Sequence, residues 1–163
     1  MRTLVLCLIQ LLFLAPFAHA QSITRAVEDF HLLGLWAVDC HRQPAPRNEH
    51  ATFTKANADE AQLVNDFGVD YDNMVYRIVE AQRIGNDRVS LRQVLATDQK
   101  VVLDVVLWKV NDKLRTWSSR VSDGSALVVD GVVSSTNGHK TPWIGRCKAV
   151  SYTHLTLPTN REV

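Results

Sequence analysis

The sequence predicts an all-β protein in which eight or nine antiparallel strands form a meander that closes into a barrel, preceded by a short helix. Short apolar runs follow one another along most of the chain. Asp-Gly or Asn-Gly pairs at residues 123–124, 130–131 and 137–138 separate the later runs, and such pairs favour tight hairpins. No long helical pattern interrupts the series, which argues against a parallel βαβ fold. A bent β-sandwich is the alternative.

Residues 1–20 are typical of a secretory signal peptide. A basic second residue precedes an apolar run over residues 4–17, and Ala18 and Ala20 give the small-x-small pattern of a cleavage site. The run is too short for a membrane span. We therefore expect a periplasmic or secreted protein with no membrane span after cleavage of the signal.

The last residues resemble a translated sequencing adapter. Residues 150–159 read VSYTHLTLPT, which matches the translation of a transposon-end adapter over the whole decapeptide. We expect residues 150–163 to be a non-native tail and exclude them from fold reasoning, a natural polar strand being the alternative. One β domain then spans residues 21–149, enough chain to bury a single core.

The charge of this domain is balanced. Of the 18 Lys and Arg residues, Arg2 and Arg161 lie in the two discarded ends, and of the 17 acidic residues Glu162 does, which leaves 16 of each sign. The charges are interspersed along the chain. This pattern gives no electrostatic footprint for nucleic acid or for an anionic membrane surface.

The cysteines predict one disulfide. Cys7 leaves with the signal peptide, so only Cys40 and Cys147 remain in an oxidising compartment. Cys40 ends the first predicted strand and Cys147 ends the last. A disulfide between them would therefore link these two strands at the seam where the sheet closes. Two free thiols or a redox site are the alternative, although no Cys-x-x-Cys is present.

The elements follow from local patterns. Apolar residues at helical spacing predict a helix over residues 23–33 that Gly34 ends. A strand over 35–40 and a loop with two prolines over 41–48 come next. Further strands are predicted over residues 51–55, 62–67, 74–83, 88–96, 101–110, 113–121, 126–129, 132–135 and 143–147.

Two ends of this meander resemble the lipocalin (calycin) family. Gly34-Leu35-Trp36 matches the Gly-x-Trp that opens the first strand in that family, and Arg146 matches an arginine of its final strand. The resemblance implies that Arg146 packs over Trp36 at the closed end of the barrel. The layout is also similar to small exported proteins of proteobacteria. A core tryptophan of any β domain is the alternative interpretation of Trp36.

Three polar side chains are predicted to share one face of the sheet. Two-residue turns about residues 111–112 and 98–99 would bring Gln93, Asp104 and Ser119 together. The same face would carry Val89, Leu91, Leu95, Val102, Val106, Trp108 and Trp117. If it looks into the barrel, Gln93, Asp104, Trp108, Trp117 and Ser119 would bind a small apolar or amphipathic molecule. A structural hydrogen-bond network, or a register slip that turns these groups outward, is the alternative.

The same hairpin supports a second hypothesis. If Trp108, Arg115, Trp117 and Arg120 lie outside the barrel, they would suit a protein partner, since exposed Trp and Arg often anchor interfaces. A protease inhibitor of the periplasm is one such module.

No pattern points to catalysis. The chain has no Gly-x-Ser-x-Gly elbow, no phosphate-binding loop and no dinucleotide fingerprint. The four histidines of the domain, His31, His41, His50 and His139, lack metal-ligand spacing. We therefore expect a non-catalytic monomer without metal or cofactor.

Overall fold

Ten strands form one antiparallel sheet in the computed structural model, which describes residues 22–57 and 59–148. The helix is α1 (Ile23–Asp29). The strands are β1 (Gly34–Ala37), β2 (His50–Asn57), β3 (Glu60–Asp66), β4 (Met74–Ile84), β5 (Arg88–Leu95), β6 (Val102–Val110), β7 (Lys113–Val121), β8 (Ala126–Val129), β9 (Val132–Val133) and β10 (Ile144–Arg146). The expected signal peptide and the expected tail over 150–163 lie outside the described residues.

The sheet closes on itself through its last strand. β1 to β7 pair in chain order, and β10 pairs with both β1 and β7. Trp36 faces Arg146 across one side of β10, and Gly145 faces Lys113 across the other. Eight strands thus form a closed barrel, and β8 and β9 extend the sheet beyond β7. The predicted all-β barrel is confirmed, and the bent sandwich is excluded.

The cysteine pair lies at this seam. Cys40 and Cys147 form a disulfide with Cα atoms 5.4 Å apart. The backbone N–H of Cys147 donates to the carbonyl of Leu35 at 2.8 Å, which continues the pairing of β10 with β1. The covalent link therefore sits beside the shortest hydrogen-bonded junction of the barrel wall.

The helix ends earlier than its apolar pattern suggests. Its last residue is Asp29, and His31 takes the left-handed conformation, with φ of 56°. The N–H of Leu32 then donates to the carbonyl of Val27 at 3.0 Å, the bond that closes a Schellman cap. The prediction that Gly34 ends the helix is wrong, because a histidine fills the position that glycine usually takes. Gly34 instead opens β1.

The helix covers one end of the barrel. Thr24 Oγ1 donates to the carbonyl of Asn57, and the Lys55 ammonium lies 3.1 Å from the Glu28 carboxylate, both at the β2–β3 turn. The buried core at this end includes Val27 of the helix together with Phe30, Leu32, Trp36, Ala61, Ile78, Val89 and Leu91. Among the described residues no helix is long and apolar enough to cross a membrane.

Candidate functional site

A cavity of about 380 Å³ opens into the barrel at the end away from the helix. This volume lies within the ~300–1,000 Å³ that small-molecule pockets occupy. Strands β2 to β8, strand β10 and the segment over residues 133–142 supply its walls. Most of the lining is apolar, including Phe53, Leu63, Leu103, Val105, Leu107 and Val128.

One wall of the cavity carries three polar side chains, which we call the polar corner: Glu49, Asn65 and Tyr76. Asn65 and Tyr76 lie on the inward faces of β3 and β4, where Asn65 faces Ala51 of β2 across the sheet. Glu49 immediately precedes β2 and continues the inward set of Ala51 and Phe53. The period of two along three adjacent strands therefore brings these groups to one place.

Glu49 and the Asn65 oxygen lack partners in the described part of the chain, whereas the Tyr76 hydroxyl donates to Met74 Sδ at 4.0 Å. Burial raises the pKa of the Glu49 carboxyl, and burial followed by the charge of Glu49 raises the pKa of the Tyr76 hydroxyl. Within the described part of the chain, Glu49 has no ion-pair partner. The side-chain oxygen of Asn65 is buried and accepts no hydrogen bond from the residues that the structure describes. Such groups are typical of binding sites.

Gln93 and Ser119 also line the cavity, and both face inward as predicted. Gln93 is 3% exposed and faces Leu103, and Ser119 is 7% exposed and faces Val105. Val89, Leu91 and Leu95 share this inner orientation.

Asp104 is not in the cavity, which corrects the sequence prediction. It faces Arg92 on the outer surface, where its carboxylate lies 3.9 Å from the guanidinium. The loop between β5 and β6 is the cause. The N–H of Leu95 donates to the carbonyl of Val101, so the loop holds five residues and is centred on Asp98. An odd loop shifts the register by one residue, which turns Asp104 and its even-numbered neighbours Val102 and Val106 outward.

Trp108 and Trp117 are also outside the barrel, again contrary to the prediction. Trp108 faces Arg115, as a two-residue turn at residues 111–112 requires, but Val106 faces Ser118, so Trp117 is the extra residue of a β-bulge. The bulge was not visible in the sequence pattern. Trp117 shares the outward parity of Arg115, and the bulge returns Ser119 to the inner face.

The outward tryptophans join a third, and we call Trp108, Trp117 and Trp143 the outer tryptophan cluster. The ring centroid of Trp108 lies 5.1 Å from that of Trp117 and 5.2 Å from that of Trp143. The Arg88 guanidinium lies 4.7 Å over the Trp117 ring, and Arg115 lies 5.2 Å over Trp143. The cluster thus joins the β6–β7 hairpin to the chain that leads into β10.

Arg115 has a structural role that sequence reasoning missed. It is buried rather than exposed on the hairpin. Its guanidinium donates to the carbonyl of Gly131 at 2.6 Å and to Thr141 Oγ1 at 3.2 Å. Arg115 therefore anchors the segment that forms one wall of the cavity, and its hydrogen bonds hold that wall against β7.

Trp36 and Arg146 lie together near the helix-covered end. Trp36 is 1% exposed and donates from Nε1 to the carbonyl of Leu32 at 2.6 Å. Arg146 faces Trp36 across the seam and donates to the carbonyl of Leu33 at 2.8 Å. Its guanidinium passes over Gly34, whose φ of +114° suits only glycine.

The four histidines that the structure describes form no metal site. His50 Nε2 lies 3.1 Å from the carbonyl of Arg42, so it belongs to the loop before β2. Within residues 22–57 and 59–148, no group of three or more His, Cys, Asp or Glu side chains is arranged to hold a metal ion.

Glu49 and Asn65 were missed for different reasons. Glu49 lies outside the strand predicted over 51–55, although the alternation of Glu49, Ala51 and Phe53 would have placed it inward. Asn65 lies within a predicted strand and continues the inner positions Ala61 and Leu63. Continuing the inward–outward alternation of each strand beyond its predicted ends would have identified both residues.

Comparison with known proteins gives no match to a protein family, to a curated protein or to a solved structure. The chemistry of the cavity is therefore the main guide to function. It can enclose a small molecule, cover its apolar part and offer hydrogen-bond acceptors to its polar part.

Proposed function

We propose that this protein is a non-catalytic, lipocalin-like barrel, periplasmic or secreted, that binds a small apolar or amphipathic molecule in its cavity. One observation carries the proposal. The cavity combines an apolar lining with a buried amide oxygen that has no hydrogen-bond partner among the described residues. An unmet acceptor costs stability in the empty protein, and a bound ligand that donates to it would offset that cost.

The size of the cavity supports a ligand rather than a packing defect. A volume of about 380 Å³ corresponds to about a dozen water-sized groups. Ordinary interiors are close-packed and contain few voids larger than one water molecule. A space this large suits a medium-length alkyl chain or one or two aromatic rings.

Two further observations support the lipocalin likeness and the location. The Gly34-x-Trp36 pair and Arg146 meet at the helix-covered end of the barrel, as the resemblance implies. The disulfide between Cys40 and Cys147 is compatible with an oxidising compartment.

A fluorescent reporter that is neutral and apolar, N-phenyl-1-naphthylamine, tests the proposal. We expect saturable binding at one site per chain. None of the four tryptophans, all of them in the described ranges, lines the cavity, so intrinsic tryptophan emission is a poor readout. An added reporter is therefore needed.

Two matched variants locate the reporter. Leu103→Trp places a large ring in the cavity from the inner face of β6, whereas Val102→Trp adds the same ring on the outer face one residue earlier. We expect reporter affinity to fall at least about tenfold in Leu103→Trp, since the ring occupies the space of the ligand. Val102→Trp should bind like the wild type. Absent saturable binding, or equal loss in both variants, would overturn the proposal.

A protein partner is the second candidate, and the outer tryptophan cluster is the observation that favours it. Three tryptophans and the Arg88 guanidinium share one partly exposed outer patch, a composition that is common in interface cores. Inhibition of secreted proteases by the wild-type protein and not by Trp117→Ala would support an inhibitor. Full inhibition by both proteins, or none by either, would count against it.

A further inference from the structure

We propose that the ligand of the cavity is a cationic amphiphile, a primary amine on an alkyl or aromatic tail, whose ammonium group binds at the polar corner. This inference rests on the proposed function and names the ligand class for the same site. Three observations support it. A carboxyl and an amide oxygen converge at the polar corner, no Lys or Arg of the described residues pairs with the carboxyl, and the space around them is apolar.

The polar corner presents acceptors. Ala51 faces Asn65 directly, and Glu49 stands two residues before Ala51 on the same inner face. Diagonal neighbours on adjacent antiparallel strands have Cα atoms about 7–8 Å apart, so one small group fits between a carboxylate and an amide oxygen at these positions. The Asn65 oxygen is the acceptor that the described residues leave without a donor.

The positive charges of the cavity are already engaged. Arg115 is the one Lys or Arg among the residues that line it, and its guanidinium is held by Gly131, Thr141 and the Trp143 ring. Among residues 22–57 and 59–148 no Lys or Arg pairs with Glu49. The Glu49 carboxyl thus faces the cavity without a counterion. Burial raises its pKa, and a bound cation would favour its charged form.

A primary ammonium suits this corner better than other head groups. It offers three donors, no acceptor and one positive charge, which matches a carboxylate and an amide oxygen. A hydroxyl head would supply one donor and no charge. A carboxylate or sulfate head would bring a second negative charge beside Glu49 and would be repelled.

Displacement of N-phenyl-1-naphthylamine by three ligands with the same tail measures the head-group preference. At pH 7.5 and low salt, we expect octylamine to displace the reporter at a concentration about tenfold or more below that of 1-octanol. This difference corresponds to one charge-assisted hydrogen bond. Octanoate should be the weakest of the three.

Glu49→Gln and Asp104→Asn separate the local effect from general charge attraction. Both variants remove one negative charge, but Asp104 lies on the outer face beside Arg92. In Glu49→Gln the advantage of octylamine over octanol should shrink to less than about threefold. Asp104→Asn should keep the full advantage. Thermal melting of each variant confirms that it is folded.

The outcomes distinguish the two proposals. If the reporter binds but octylamine and octanol compete equally, the ligand class is wrong and the binding function stands. If Glu49→Gln and Asp104→Asn reduce the advantage equally, the ammonium does not bind at the polar corner and the inference fails. If the reporter itself shows no saturable binding, both proposals fail together.

Discussion

Removing the disulfide should cost this barrel a large part of its stability. The double variant Cys40→Ser/Cys147→Ser opens a loop whose ends are 107 residues apart in sequence. In the chain-entropy description, closing a loop of this length lowers the entropy of the unfolded chain enough to stabilise the folded state by about 4.8 kcal/mol at 25 °C. Typical domains have ~5–15 kcal/mol in total, so the variant would be close to marginal.

Once the disulfide is removed, few backbone hydrogen bonds hold the two edges of the seam together. β10 has three residues, and each of its ladders with β1 and β7 aligns only two residue pairs. The seam that the disulfide covers is thus the weakest junction of the barrel wall. We expect the whole barrel, and not only its seam, to unfold at a lower urea concentration. The two edges of the seam pack on the same hydrophobic core, so they cannot separate without disrupting it.

Urea unfolding followed by far-ultraviolet circular dichroism measures the effect. The variant should show a lower midpoint and a steeper dependence on urea, since the unfolded chain without its cross-link exposes more surface. Reduced wild-type protein should unfold at the same midpoint as the double variant. A difference in unfolding free energy below about 1 kcal/mol would refute the reasoning, because it would mean that the cross-link does not restrict the unfolded chain as the entropy relation requires.

Two other predictions concern groups around the cavity. Burial raises the pKa of Glu49 above its ordinary 4.5, so the folded protein binds this proton more tightly than the unfolded chain, and stability falls as pH rises from 4.5 through the folded-state value. Glu49→Gln should therefore melt at a higher temperature than the wild type at pH 7 and at the same temperature below pH 4.5; an equal difference at both pH values would contradict this. Gly131→Ala should destabilise by about 2 kcal/mol or more, because φ is +74° and the new Cβ would lie 2.8 Å from Arg115 Cζ. Gly138→Ala is its control in urea unfolding, having φ of +82° and no atom within 4 Å, and equal losses in the two variants would show that the Arg115 contact is unimportant.

The strand order was predictable because turn chemistry is local. Asp130-Gly131 joins β8 to β9 through two residues that both have positive φ, which is the backbone that such pairs favour. Closure was predictable from Cys40 and Cys147, which follow the first and the last strand and are joined by a disulfide. Each of these features depends on a few adjacent residues or on one covalent link.

The composition of the cavity was only partly predictable because it depends on register. Gln93 and Ser119 face inward as expected, whereas Asp104 faces outward because the preceding loop has five residues rather than two. Trp108 and Trp117 face outward together with Asp104 for the same reason, and Ser119 returns to the inner face because one bulge changes the parity of β7. A single inserted residue exchanges the two faces of a strand, and hydrophobicity does not reveal it where both faces carry large apolar side chains.

The position of β10 also has a consequence for synthesis. β1 lacks its second neighbour until residues 144–146 have been made, more than a hundred residues later. During that interval the growing chain presents unpaired N–H and C=O groups along the β1 edge and at the start of β7, where other chains can pair. We therefore expect closure to be the last and slowest step of maturation, and expression at high concentration to favour intermolecular pairing of nascent chains over completed barrels.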